Sequence, residues 1–97
     1  MTRYVLTPIA EEDISEIATW IASYNRVAAE RFVDAAYDAF EFLADHPAIG
    51  HYRRDLTDQP VRFWAVMRRY LIVYRERTPV QILRVLGMYR DIAALLR

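Results

Sequence analysis

The run Arg69-Tyr-Leu-Ile-Val-Tyr-Arg-Glu76 constrains the fold more than any other stretch of this chain. From Tyr70 to Tyr74 every residue except Leu71 is aromatic or β-branched, and charge closes the run at both ends. A short apolar run bounded in this way fits a strand buried on both faces. Strand-like segments flank it, Val61–Met67 before and Val80–Leu86 after. The run is therefore predicted to be the central strand of a sheet. Leu71 and Val73 face one side of it, and Tyr70, Ile72 and Tyr74 the other.

What can be built around that strand is bounded by 97 residues, which implies one domain over 1–97 with one core. A hydrophobic content of 55% excludes a disordered chain. No apolar run approaches the ~20 residues that span a bilayer. The start, Met-Thr-Arg-Tyr-Val-Leu-Thr-Pro, lacks the apolar core and small-residue cleavage site of a signal peptide. With no cysteine, neither disulfides nor thiolate metal sites can contribute. These features predict a cytoplasmic domain with no membrane partner, held by its core alone.

The rest of the chain supplies two helices and a first strand. Arg3–Leu6 is a short apolar run predicted as that strand. Thr7 is a good N-cap, and Pro8 suits the first helical position, where its missing N–H is no loss. Glu11, Glu12 and Asp13 sit in the first turns, where the helix dipole favours negative charge. Ala10, Ile14, Ile17, Ala18 and Ile21 then share a face, so a helix is predicted over Pro8–Ser23. After a break at Tyr24-Asn25-Arg26, a second helix is predicted over Val27–Asp45. Ala29, Phe32, Val33, Ala36, Phe40 and Leu43 form its stripe, and Pro47 stops it. So short a connection makes the pair an antiparallel helical hairpin.

Pro47–Pro60 reads as a loop. His46 and His51 lie near one another, but without a helical spacing or acids in register they do not predict a metal site. His46 is read instead as a helix-end residue that favours the negative dipole end. Val61–Met67 alternates, with Val61, Phe63, Ala65 and Met67 on one face and Arg62, Trp64 and Val66 on the other. Arg68-Arg69 forms the predicted hairpin turn, without a glycine to ease it. In Val80–Leu86, Gln81, Leu83 and Val85 take one face and Ile82, Arg84 and Leu86 the other. Gly87 ends that strand, and a short apolar tail, Ile92–Leu96, follows. The predicted fold class is α+β with order β-α-α-β-β-β, a helical hairpin packed on an antiparallel meander, and a short C-terminal segment or helix.

Two surfaces stand out. Net charge is zero, yet residues 1–50 hold three arginines and nine acids while residues 51–97 hold ten arginines and four acids. The halves thus carry −6 and +6, which points to an acidic face and a basic face. Arg62 and Arg84 on the strands, joined by Arg53, Arg54, Arg68, Arg69 and Arg90 from loops, are read as a basic target-binding patch. Trp20, Tyr24, Tyr37 and Phe42 lie off or at the edge of the helix stripes. Singly each can widen the core, but together they are read as an apolar groove for a partner helix.

Several pieces together resemble the RelE/ParE superfamily of toxins from type II toxin–antitoxin systems, and its ParE-like branch in particular. Tyr4-Val-Leu-Thr-Pro8 with Ala10, Glu11, Asp13 and Ile17 is similar to that family's first strand and helix. Ala29, Phe32, Val33 and Phe40, then Leu43-Ala-Asp-His-Pro47 and Gly50, resemble its second helix and following loop. Arg69–Arg75 resembles the central strand, and Ile82–Leu86 with Arg90-Asp91 the closing strand and signature. The resemblance implies a cognate antitoxin (ParD-like) in a hetero-oligomer, wrapping the hairpin and pairing with a sheet edge. Trp20, Tyr24, Tyr37 and Phe42 become its candidate contacts.

The resemblance leaves two targets open. ParE-like members poison DNA gyrase and block replication, whereas RelE-like members enter the ribosome and cleave mRNA. Cleavage by 2′-OH attack needs a proton acceptor, a proton donor and cations on the phosphate. Arg62, Arg84, Tyr89 and Arg90 are the residues that would serve it. The chain has no lysine, and Gly87 stands where many members carry a histidine. Arginine is a poor base because its pKa lies above ~12. The residues therefore favour a non-enzymatic gyrase inhibitor over a ribosome-dependent endonuclease. A third alternative is an inactive member that acts only in antitoxin binding and autoregulation. With no Gly-rich phosphate loop and no metal cluster, no cofactor is expected.

Overall fold

The computed structural model describes residues 3–97. The elements are β1 (Tyr4–Leu6), α1 (Pro8–Ala22), α2 (Arg26–Asp45), β2 (Arg62–Val66), β3 (Tyr70–Arg75), β4 (Val80–Gly87) and α3 (Ile92–Leu95). The fold is α+β, with two helices packed on a four-stranded mixed sheet of order β1-β4-β3-β2. The meander β2-β3-β4 is antiparallel, and β1 joins its far edge parallel to β4. The α1–α2 hairpin carries the chain from β1 across the sheet to β2 on the opposite edge, which lets β4 return beside β1 in parallel. No helix among the described residues is long and apolar enough to cross a membrane.

Local chemistry sets the helix ends. Thr7 accepts the Ala10 N–H at 3.1 Å, with Pro8 at the first helical position. Asn25 caps α2 in the same way, accepting the Ala28 N–H at 3.0 Å, so this helix begins at Arg26, one residue earlier than its apolar stripe suggests. The β3 run has the expected double burial. Tyr70, Ile72 and Tyr74 pack against Ile14, Ile21, Phe32, Phe40 and Leu43 of the helices. Val73 packs on the opposite face with Val61, Phe63, Leu86 and Ile92 of α3. Burying side chains such as Phe32 and Phe40 is worth about 1.5–3 kcal/mol each.

One buried hydroxyl ties down the start of the loop before β2. Tyr74 Oη accepts the Gly50 N–H at 2.8 Å and donates to the Pro47 carbonyl at 2.8 Å. A Cβ at Gly50 would lie 2.5 Å from that oxygen, so the close approach requires glycine. His51 then bridges to Phe63 with two backbone hydrogen bonds, covering part of the β2 edge.

Two expectations for the strands are corrected. Strict alternation along β4 fails, because Val73 pairs with Arg84 but Tyr74 pairs with Ile82. Leu83 is the extra residue of this bulge, so Ile82 and Val85 share the helix-facing core while Leu83 and Leu86 join the other face. The β2–β3 turn is also displaced by one residue from Arg68-Arg69. Met67 and Arg68 are its two central residues, at φ 54° and 57°, and the Arg69 N–H returns to the Val66 carbonyl at 3.2 Å. Two consecutive left-handed residues give the type I′ geometry that suits a twisted hairpin, normally built with Asn or Gly.

Candidate functional site

The seven arginines of the expected basic patch do not form one surface. Arg84 is engaged by helix α1. Its Nε and Nη2 donate to the Asp13 carboxylate at 2.8 and 3.0 Å, and the Val85 N–H donates to the same carboxylate at 3.0 Å. Asp13 is 6% exposed. It closes the stretch of β4 that runs beyond the short β1, where Thr7 Oγ1 also donates to the Leu83 carbonyl at 2.9 Å. The hydrogen bond to Asp13 raises the Arg84 pKa further, so its charge is permanent and already matched.

Arg62 is matched too. Its Nε donates to Glu76 at 2.9 Å and its Nη1 to the Gly50 carbonyl at 2.9 Å. Its guanidinium lies 4.4 Å from the centre of the Tyr52 ring. Arg53 pairs with Asp55 through two hydrogen bonds of 2.9 and 2.7 Å, which raise its own pKa and lower that of the carboxyl. Arg54 donates to the Asp58 carbonyl at 3.0 Å. These four arginines hold strands and loops together.

Arg68, Arg69 and Arg90 are different. Among the described residues none of the three has a salt bridge or a side-chain hydrogen bond. All three are exposed and gather at one tip of the molecule. The tip forms because two turns are tied together. The Met88 N–H, just past β4, donates to the Arg69 carbonyl at 2.8 Å, and the Arg90 N–H returns to the Gly87 carbonyl at 3.1 Å.

The C-terminal end of α1 completes this tip. Trp20 and Tyr24 stack edge to face at 5.3 Å, both 62% exposed. Buried Tyr70 forms the floor, its ring 4.8 Å from that of Phe32. Three shallow grooves meet there. One of about 230 Å³ is lined by Glu16, Ile17, Trp20, Tyr70, Tyr89 and Arg90. The next, about 270 Å³, adds Arg68, Arg69 and Met88. A third, about 280 Å³, runs between Tyr24, Phe32, Met67 and Arg69. Apolar walls rimmed by free cations suit recognition of a protein surface.

The structure places the remaining sequence candidates elsewhere. Tyr37 stacks edge to face on buried Phe40 at 5.2 Å, beside the ring of Tyr4 on β1. Phe42 lies over Trp64 of β2 and against His46. Only Trp20 and Tyr24 of the four aromatic candidates therefore share a site. Of the four candidate cleavage residues, Tyr89 and Arg90 meet at the tip, while Arg62 and Arg84 are held in separate ion pairs. Among the described residues no three His, Asp or Glu side chains converge as a metal site. Asp13 was missed by sequence reasoning, since an acid early in a helix reads as a dipole partner. Met67 and Met88 were missed as site residues because their place depends on two turns meeting.

Comparison with known proteins adds the family. The model of the ParE toxin of type II toxin–antitoxin systems, parDE, matches residues 4–92. A solved structure described as a chromosomal ParDE system from P. aeruginosa superposes with a TM-score of 0.72 at 21% identity. The superposition covers 90% of this chain and 96% of that one. No curated protein sequence matches.

Proposed function

Since the chain belongs to the ParE toxin family and is the toxin component of a type II toxin–antitoxin system, we propose that it arrests growth by binding DNA gyrase rather than by cutting RNA. Membership implies an antitoxin as its partner. The observation that carries the binding reading is the engagement of Arg84 by Asp13 and of Arg62 by Glu76. Phosphate-stabilising cations for cleavage would have to be free and close to a proton acceptor. Here three arginines unpaired among the described residues, Arg68, Arg69 and Arg90, gather at the tip beside Tyr89, which suits docking. Gyrase is the target that the ParE-like resemblance implies.

Purified wild-type toxin should suppress supercoiling by purified gyrase or accumulate cleaved complexes. No effect at any toxin concentration would remove gyrase as the target. Cuts in mRNA at the ribosomal A site, lost in Tyr89→Phe, would replace binding with cleavage. For the antitoxin, a ParD-like chain in a hetero-oligomer, Trp20 and Tyr24 are the proposed contacts. Their large exposed rings are the kind of surface that an amphipathic segment covers.

A further inference from the structure

Tyr89 is 83% exposed, and one side of its ring rests on backbone. It lies back on Gly87, which pairs with Tyr70 at the end of the β3–β4 ladder. A Cβ at Gly87 would overlap Cε1 of Tyr89 and stand 2.9 Å from Cδ1 and 3.1 Å from Cζ. The backbone at Gly87 does not explain the glycine, because no glycine among the described residues has a positive φ. What a side chain at Gly87 would displace is the Tyr89 ring from its seat. The turn carrying Tyr89 is fixed at both sides by the Met88 and Arg90 amides.

An exposed aromatic ring that rests on its own backbone before binding has less rotamer freedom to lose than one extended into solvent. Binding through it lowers the ordering cost. Around it stand three guanidiniums without acidic partners, Arg68, Arg69 and Arg90. We propose that Tyr89, seated on Gly87, is a pre-positioned anchor that enters an apolar pocket on the target protein. The three arginines pair with carboxylates around that pocket. This rests on the reading of the toxin as a binder.

The partner's chemistry follows from charge. A nucleic acid strand needs an extended basic track to neutralise successive phosphates. The tip offers three cations only, and the groove beside Tyr89 is walled by Glu16 of the acidic helix α1. A compact acidic patch on a folded protein matches this arrangement and a long polyanion does not. Trp20 lines the same grooves, so an antitoxin seated on Trp20 would also cover the anchor.

The test compares Tyr89→Ala, Gly87→Ala and their combination, each checked for an unchanged melting temperature. Two activities are read: growth arrest on induction without antitoxin, and the toxin concentration that half-inhibits purified gyrase. Tyr89→Ala should raise that concentration at least ~30-fold, as loss of a central aromatic anchor does. Gly87→Ala should raise it ~2- to 10-fold, by tipping the ring out of place. In the Tyr89→Ala background Gly87→Ala should add nothing, because the contact it disturbs is gone. Should Gly87→Ala fold poorly alone, the Tyr89→Ala background relieves the overlap and Tyr89→Phe supplies the second comparison. Tyr89→Phe should retain ~10-fold more activity than Tyr89→Ala, since a ring survives. Wild-type potency in well-folded Gly87→Ala, or equal losses in Tyr89→Phe and Tyr89→Ala, would overturn the anchor. So would binding of a short single-stranded RNA that Tyr89→Ala abolishes. If wild-type toxin leaves gyrase untouched but still arrests growth, the gyrase reading fails alone, and the same variant order in growth arrest still decides the anchor.

Discussion

Removing Asp13 is expected to destabilise the toxin more than any surface change. Asp13→Ala takes away three hydrogen bonds at once: two from the Arg84 guanidinium, at 2.8 and 3.0 Å, and one from the Val85 N–H at 3.0 Å. The Arg84 side chain, only 16% exposed, is then left as an unmatched charge in a partly dry site. Breaking one side of such a buried pair costs about 3–5 kcal/mol. The total stability of a domain this size is about 5–15 kcal/mol. At about 4–8 °C per kcal/mol, the melting temperature should drop by at least ~12 °C. Urea unfolding followed by far-UV circular dichroism checks this, with an unchanged m-value showing that the denatured state is comparable. Asp13→Asn combined with Arg84→Met should recover most of the loss. The amide oxygen can still accept from Val85, and no charge is stranded. That double variant should also arrest growth as wild type does. Asp13→Ala within ~1 kcal/mol of wild type, with Arg84→Met abolishing growth arrest in a stable protein, would refute the reasoning and return Arg84 to the target surface.

Gly50→Ala should destabilise by about 1–3 kcal/mol in the same unfolding assay, because its Cβ collides with Tyr74 Oη and disrupts that hydroxyl's two hydrogen bonds. Burial raises the Tyr74 pKa above the usual 10.0. The folded state thus favours the neutral phenol, and this share of stability is intact below pH 10 and lost as pH rises through the folded pKa. Alkaline unfolding monitored with tyrosinate absorbance should show that loss, and a flat profile would contradict it. Arg68→Gly should stabilise by about 0.5–1 kcal/mol, since φ 57° is left-handed and strained for a side chain; no gain in melting temperature would argue against the strain. Trp20→Ala with Tyr24→Ala should weaken antitoxin binding in calorimetric titration, and unchanged affinity would place the antitoxin elsewhere.

Much of the fold was legible because it depends on local pattern. Thr7-Pro8 announces α1, the stripe from Ala29 to Leu43 announces α2, and the run from Tyr70 to Tyr74 announces a strand buried on both sides. What sequence could not show depends on pairings across long separations. A bulge at Leu83 breaks the alternation that would have assigned Arg84 a face. Asp13 reaches Arg84 across 71 positions, so nothing near it in sequence marks it as a clamp. The +6 charge of the second half reads as a basic face, but ion pairs match Arg53, Arg62 and Arg84 one by one, and Arg68, Arg69 and Arg90 collect at a single tip. Gly87 reads as a strand terminator, while its close contact with Tyr89 belongs to the turn that follows. Trp20 and Tyr24 could be picked as exposed aromatics, but their companions turned out to be Tyr70 and Tyr89 rather than Tyr37 and Phe42.

Binding at the tip, rather than RNA cleavage, is the central claim, and cells induced for the toxin without its antitoxin test it most directly. DNA synthesis and protein synthesis are measured separately in the first minutes, in wild type and in Tyr89→Ala. The account predicts that DNA synthesis stops first in wild type while message stays intact, and that Tyr89→Ala relieves the block. An immediate fall in protein synthesis with mRNA cut at the ribosomal A site would contradict it.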